Sequence, residues 1–167
     1  EWDEGWNYRG MGQFGMCLSE LDALLLGLGA VCGEEAWPIV LQKIEQLGGD
    51  PDFSHCRALA EACEKLHARH PNPAAAGRLA SLLDPPGMTG HAQTTLAEAQ
   101  AQLTDDKNET QVRNRALREL HLARAVYRLG DVEGRGEAIL ERYADDLRGH
   151  FARHARAVLR QPHLAAV

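Results

Sequence analysis

Apolar residues recur three or four positions apart along most of the chain, the spacing that places them on one face of an α-helix. Leu21, Leu24, Leu25 and Leu28 follow this spacing in the first such segment. Glycines, prolines and polar capping residues separate one segment from the next. The pattern predicts about eight helices, at 19–33, 34–47, 54–70, 72–84, 91–103, 110–129, 135–147 and 149–160.

Polar residues that favour helix N-termini mark several of these starts. Ser19 begins the sequence S-E-L-D, which resembles a capping box with Asp22 in place of Glu or Gln. Ser54 stands at the start of the third segment, and Asn72 followed by Pro73 opens the fourth. We therefore expect Ser19, Ser54 and Asn72 to cap their helices.

The longest predicted helix, at 110–129, carries apolar residues on two faces. The two sets are Leu120, Ala123 and Tyr127 on one face, and Leu122, Val126 and Leu129 on the other. A helix that is apolar on two faces packs between neighbours on both sides. We therefore expect this helix to lie at the centre of the core.

The composition strengthens the helical interpretation. The chain of 167 residues contains 25 Ala and 23 Leu against 7 Val, 3 Ile and 5 Thr. Ala and Leu favour helices, whereas β-branched residues suit strands. A β-sandwich, a β-barrel and a parallel α/β sheet are therefore disfavoured, and a content of 44% hydrophobic residues argues against disorder.

Three stretches of the chain share a small residue, then a histidine, then an Ala/Leu-rich helix. They are SHCRALAEACEKL at 54–66, GHAQTTLAEAQAQL at 90–103 and GHFARHARAVL at 149–159. Helix–turn–helix units also recur, as in YRLGDVEGRGEAIL at 127–140. Each such unit has an apolar face that only a neighbouring unit covers. We predict an all-α domain over 19–160, an α-solenoid of stacked antiparallel helical hairpins, followed by a flexible tail at 161–167.

Residues 1–18 differ from the rest because they are rich in aromatic residues and glycine. Gly10 to Gly15 satisfies the G-x-G-x-x-G pattern of dinucleotide-binding turns. No apolar strand precedes it and no βαβ pattern follows, as that chemistry requires. We expect a glycine-rich aromatic segment packed on the helical domain, and no cofactor site in this chain.

Two resemblances extend this interpretation. YRLGDVEGRGEAILERYADD at 127–146 resembles a HEAT or HEAT-like repeat. EWDEGWNYRGMGQFG at 1–15, FSHCRALA at 53–60 and DLRGHFARHARAVL at 146–159 resemble the C-terminal HEAT-like region of some bacterial FAD-dependent oxidoreductases. The second resemblance implies a C-terminal module of a larger bacterial protein, with the FAD-binding fold outside this chain.

Two functions are compatible with these resemblances. In the first, the domain is a non-catalytic scaffold that binds a protein partner or a neighbouring domain. In the second, it is an accessory part of an FAD-dependent oxidoreductase. Trp2, Trp6, Tyr8 and Arg9 would then contact the flavin or the substrate of the attached domain.

Charge is distributed unevenly along the chain. Residues 1–111 contain 7 basic and 17 acidic residues, whereas residues 112–167 contain 11 basic and 7 acidic ones. Arg153, Arg156 and Arg160 form a basic stripe on the last predicted helix, which suits an acidic protein partner or phosphate groups. A solvated, salt-bridged helix surface is the alternative. The net charge of −6 and the few aromatic residues near the stripe argue against nucleic acid.

The repeated histidines His55, His91 and His150 would form a row if the repeats stack in register. Such a row would either contact an extended partner or hydrogen-bond loop carbonyls. His150 and His154 also share a helix face with a spacing that suits zinc. Phe151 stands where a zinc-protease helix has Glu, and no nucleophile arrangement can be placed from spacing. We predict no catalytic residue and no metal site, with His150 and His154 as the candidates for an incidental metal ion.

The cysteines and the hydropathy pattern bound the environment. Cys56 and Cys63 lie seven residues apart on a predicted helix, about 10 Å along its axis, too far apart for a disulfide. Cys17 and Cys32 complete the four cysteines, and no C-x-x-C pair occurs. This usage fits free thiols in a reducing, cytoplasmic compartment. The longest apolar stretch, 23–32, is too short to span a bilayer, so no membrane insertion is expected.

Overall fold

The computed structural model describes residues 19–103 and 109–161, and these residues form an all-α fold. Neither range contains a β-strand, which confirms the predicted all-α character for the described part of the chain. Two short 3-10 helices, Glu34–Ala36 and Val132–Gly134, precede the second and seventh α-helices. The α-helices are α1 Glu20–Val31, α2 Trp37–Glu45, α3 Phe53–His67, α4 Pro73–Ser81, α5 Leu96–Ala101, α6 Glu109–Arg128, α7 Arg135–Ala144 and α8 Gly149–Leu159.

The helices pack in a continuous series. α1 packs against α3, α3 against α6, α6 against α7, and α7 against α8. On a second side, α2 packs against both α3 and α4, and α4 packs against α6. The long α6 therefore contacts helices that precede it and helices that follow it in the chain.

The two apolar faces of α6 lie in two separate hydrophobic clusters, as the pattern predicted. Leu122, Val126 and Leu129 belong to a cluster built mainly from α1 to α4. The other set, Leu120, Ala123 and Tyr127, packs with α7 and α8 residues. Each cluster thus covers one face of α6, and the helix joins the two parts of the core.

Capping bonds from the N-cap side chain mark the starts of α1, α4 and α5. The Ser19 hydroxyl accepts the Asp22 amide at 3.0 Å, and the Asp22 carboxylate accepts the Ser19 amide, so the predicted capping box is confirmed. The Asn72 side chain accepts the Ala74 amide, as predicted. Ser54 is not a cap, because α3 begins one residue earlier at Phe53 and Asp52 takes the cap position.

The fifth helix begins later than the pattern predicts. Residues 91–94 are not helical, and α5 starts at Leu96 behind a capping box formed by Thr95 and Glu98. Distant side chains bind the backbone of this non-helical segment. The Glu119 carboxylate accepts the Gly90 amide and the Asp146 carboxylate accepts the Gln93 amide, each at 2.9 Å. These tertiary bonds take up backbone donors there.

Two helix pairs approach closely at glycines. A methyl group added at Gly29 of α1 would lie 2.8 Å from the Ala62 carbonyl oxygen of α3, and nearer still to the Ala62 Cα. One added at Gly136 of α7 would lie 2.6 Å from the Tyr127 nitrogen of α6. Both contacts are shorter than van der Waals packing permits, so these two interfaces depend on the missing side chain.

Candidate functional site

His55 lies in the interface between α1 and α3, where it is buried. Its Nδ1 is 3.4 Å from Oδ1 of the fully buried Asp22 and 3.3 Å from the Ser54 hydroxyl. Its Nε2 lies 4.0 Å from the Asp52 carboxylate. An imidazole enclosed in this way contacts a buried carboxylate and presents little surface to a partner.

His91 lies in the segment between α4 and α5, and its contacts are with the backbone. Its Nε2 is 2.8 Å from the Gly87 carbonyl oxygen, so the ring closes the turn before it. Its own amide donates to Glu119, and its carbonyl accepts from Arg148 at 2.7 Å. This contact corresponds to one of the two roles considered for the repeated histidines, a hydrogen bond to a loop carbonyl group.

His150 is exposed at the start of α8, where its ring packs on Phe151 at 4.1 Å between centroids. His154, one turn later, is half-buried, and its ring faces His121 of α6 at 6.2 Å. The three repeated histidines therefore have different surroundings: His55 meets a buried carboxylate, His91 a carbonyl and His150 an aromatic ring.

The side chains near α8 do not assemble a metal site. Within residues 19–103 and 109–161, no group of three or more His, Cys, Asp and Glu side chains is close enough to hold a metal ion. Asp146, which could have helped His150 and His154, accepts three bonds from Arg148 and one from the Gln93 amide. Burial opposes ionisation of Asp146, but these donors outweigh it and lower its pKa.

The basic stripe lies on the solvent side of α8. Arg153, Arg156 and Arg160 are all exposed, on the opposite side of the helix from Phe151, Ala155 and Val158 in the core. Arg156 is 3.7 Å from the Asp145 carboxylate, and both of these side chains are more than half exposed. Within the described residues, Arg153 and Arg160 form no ion pair. Among the described side chains, the stripe therefore has a single, solvent-exposed carboxylate neighbour.

Buried ion pairs between distant segments are the polar feature that the sequence did not reveal. Glu64 of α3 accepts from Nε of Arg124 at 2.7 Å and from Nη1 of Arg128 at 2.6 Å. Opposite charges on separate helices carry no spacing signal, because their partners are set by tertiary packing. The triad joins α3 to α6, with Glu64 and Arg124 buried and Arg128 partly exposed.

A second buried charge holds two loops against α6. Arg118 donates from Nη1 to the Asp50 carboxylate at 2.6 Å and to the Pro51 carbonyl at 2.7 Å, and from Nη2 to the Gly87 carbonyl. The bond from Arg118 lowers the pKa of Asp50 and outweighs its partial desolvation. The guanidinium therefore fixes the α2–α3 and α4–α5 connections.

Glu119 and Tyr143 form a third buried polar group. The Tyr143 hydroxyl donates to the Glu119 carboxylate at 2.8 Å, while Glu119 also accepts the Gly90 and His91 amides. Burial raises the pKa of Tyr143, and the neighbouring carboxylate raises it further. Tyr143 therefore acts as a hydrogen-bond donor here, and its role is to hold the 90–93 segment through Glu119.

Some predicted features cannot be compared with the structure. Trp2, Trp6, Tyr8 and Arg9, the proposed contacts to an attached flavin domain, lie outside the described residues, as does the G-x-G-x-x-G stretch. Cys17 lies there too, whereas Cys32, Cys56 and Cys63 are free thiols. Burial raises the pKa of Cys56 to about 12, which makes it an unreactive thiol.

None of the described helices combines the length and apolar character that crossing a membrane requires.

Comparison with known proteins gives no family assignment. No protein-family model matches the chain, and no curated protein and no solved structure matches it either.

Proposed function

We propose that this domain is a non-catalytic, HEAT-like scaffold that binds an acidic protein segment on the exposed arginine stripe of α8. The solenoid part of the proposal is supported by the order of packing. α1, α3 and α6 pack in succession, and α2 packs against α4, as expected if α1–α2, α3–α4 and α6–α7 are stacked hairpins.

The use of the buried polar groups supports a structural rather than a catalytic role. Arg118 and Glu119 are committed to backbone groups of the connecting segments, and Glu64 is committed to Arg124 and Arg128. Groups bound in this way hold loops and helices in place.

The observation that carries the proposal is the exposed stripe of Arg153, Arg156 and Arg160. Two of these guanidinium groups have no carboxylate partner in the described part of the chain, and the third has only a distant, solvated one. Arginines at this spacing on a rigid helix present a line of forked donors that matches a row of carboxylates. An acidic segment of another protein or of a neighbouring domain is the complementary partner.

A charge-neutralising variant tests the proposal. The labelled peptide deca-glutamate serves as the probe, and binding is followed by fluorescence anisotropy at about 20 mM and about 200 mM salt, where screening differs strongly. We expect saturable binding that R153Q/R156Q/R160Q weakens by about tenfold or more at low salt. Circular dichroism checks that the variant keeps its helical content.

The matched control is R78Q/R113Q/R115Q, which removes the same charge from exposed positions on α4 and α6. We expect this variant to bind deca-glutamate within about twofold of the parent. Equal weakening by the two triple variants would show attraction to overall charge and would overturn the assignment of the stripe. Absence of saturable binding to the parent protein at low salt would overturn the proposal as well.

A further inference from the structure

A cluster of imidazole and guanidinium groups lies where α3, α6 and α8 meet, on a different side of α8 from the arginine stripe. The His121 ring of α6 is 5.7 Å from the Phe53 ring of α3 and 6.2 Å from the His154 ring of α8. The Arg57 guanidinium lies 5.5 Å above the Phe53 ring. Arg124 follows His121 by three residues and shares its face of α6.

The polar groups of this cluster have unused hydrogen-bonding capacity. Arg124 is 9% exposed, and its one hydrogen bond to other described residues runs from Nε to Glu64. Its Nη nitrogens have no partner there and reach the surface, so a ligand can approach them. His121 Nδ1 is buried and also lacks a hydrogen bond. Accessible guanidinium donors thus lie beside a buried imidazole nitrogen without a partner, an arrangement that an anion with several acceptor oxygens could use.

The charges of the surrounding side chains indicate which kind of ligand the cluster would bind. Arg57, Arg124 and Arg128 contribute three positive charges, and Glu64 contributes one negative charge between the last two. Burial and then the positive charge of Arg124 lower the pKa of His121 to about 3, and the same two causes lower the pKa of His154. Both imidazoles are therefore neutral at pH 7, and the surplus positive charge disfavours a metal cation and favours an anion.

We propose that the junction of α3, α6 and α8 binds a phosphate-type oxyanion, contacted by Arg57, Arg124, His121 and His154. The unused Nη groups of Arg124 donate to two oxygens, as guanidinium groups do to phosphate. Arg57, which is half-buried and makes no hydrogen bond within the described ranges, closes on the outer side. Each neutral imidazole has one N–H group that can donate to an anion oxygen, and a bound anion favours protonation of the ring.

The Phe53 ring beside the site allows two kinds of phosphate ligand, the free ion and an aromatic monoester, to be distinguished. A free phosphate ion would use only the guanidinium and imidazole groups. A phosphate monoester with an aromatic group would also pack on Phe53, and would bind more tightly for that reason. Inorganic phosphate and phenyl phosphate are therefore the two probes.

The primary experiment follows the histidine side-chain signals of the full chain by NMR during titration with each probe, and with chloride at matched ionic strength. We expect His121 and His154 to shift in a saturable way with both phosphates and not with chloride. Tighter binding of phenyl phosphate would identify a monoester site, and equal affinity would identify a phosphate-ion site. Equal shifts with chloride, or no saturation with either phosphate, would overturn the proposal.

Substitutions then test the assigned contacts. R124Q and R57Q are each expected to weaken binding by about tenfold or more, because each removes a charge-assisted donor. If R124Q fails to fold because it leaves Glu64 with one partner, R57Q at the half-buried edge still decides the question. R78Q on α4 is the matched charge control and is expected to bind normally. Unchanged affinity in R57Q, with folding intact, would contradict the site.

A pH series supplies an independent check. Sulfate is the probe here, because it remains a dianion through the range in which histidines titrate. The groups that face His154 are His121, Arg124 and Arg128 from α6 and Glu64 from α3. We expect saturating sulfate to raise the pKa of His154, and affinity to increase as the pH falls from 8 to 6. A His154 pKa that sulfate leaves unchanged would refute the coupling.

Discussion

Replacing Gly29 with alanine should destabilise the domain, although alanine is the better helix former. Gly29 lies in α1, where its Cα faces the Ala62 backbone of α3. A Cβ at this position would be 2.8 Å from the Ala62 carbonyl oxygen, whereas ordinary contact begins at 3.4 Å. Because the obstacle is backbone rather than a flexible side chain, the helices must separate by roughly an ångström.

The expected size of the effect follows from two opposing contributions. Forcing an extra methyl into a close-packed interface costs about 1–3 kcal/mol, and a backbone contact belongs at the upper end. The helix preference of alanine over glycine returns about 1 kcal/mol. The net loss is therefore about 2 kcal/mol, which corresponds to a fall in Tm of about 4–8 °C for a domain of this size.

Gly77 provides a control with the opposite sign. It is exposed in α4, and nothing lies within 4 Å of an added Cβ. Gly77→Ala should therefore stabilise the domain by about 1 kcal/mol through helix propensity alone. Urea unfolding followed by circular dichroism measures both variants, with unchanged m-values as the check on comparable unfolding. If Gly29→Ala also stabilises the protein, the described contact between α1 and α3 is wrong.

Three further predictions concern buried polar groups and use the same unfolding assay. Glu64→Ala should lower the free energy of unfolding by about 3 kcal/mol, because it leaves Arg124 buried without its partner. The control Glu45→Ala removes an exposed carboxylate paired with Arg78 and should cost less than about 1 kcal/mol. Similar losses in the two variants would contradict the assigned burial. Tyr143→Phe should cost about 1–2 kcal/mol, since the Glu119 carboxylate loses a buried donor, and an unchanged urea midpoint would contradict this bond. The free energy of unfolding should also fall as the pH is lowered from about 6.5 towards 3. The pKa of His121 is about 3 in the folded protein and about 6.5 in the unfolded chain, so the unfolded chain binds the proton first. The slope is at most about 1.4 kcal/mol per pH unit for this group, and His121→Phe should flatten it between pH 5 and 6.5, above the range in which carboxylates titrate.

The sequence was sufficient for features that depend on local spacing. The two apolar faces of α6 were predictable because 3.6-residue periodicity alone assigns Leu120 and Leu122 to different faces, and each lies in its own core cluster. The Ser19 and Asn72 caps were predictable because a cap acts within three residues of itself. The arginine stripe of α8 was predictable because residues three or four positions apart share one face of a helix.

Features that depend on tertiary contacts were not predictable. The 91–94 segment carries no Gly or Pro to stop a helix. It is not helical because Glu119 and Asp146, distant in sequence, accept the Gly90 and Gln93 amides. A local signal for the true start was present, since Thr95 and Glu98 have the spacing of a capping box. The phosphate-type site proposed at α3, α6 and α8 had no such signal, because its groups come from three helices.

The organisation of α6 connects stability to the proposed oxyanion site. Its two apolar faces are covered by the two hydrophobic clusters, and a third face between them carries His121, Arg124 and Arg128. Glu64 joins this face to α3, and the ring contact with His154 joins it to α8. Because packing on both apolar faces fixes the rotation of α6, it also fixes where Arg124 directs its unused donors. Substitutions in either cluster that shift α6 should therefore alter oxyanion affinity without touching the site, whereas the arginine stripe, on the outer side of α8, should be unaffected.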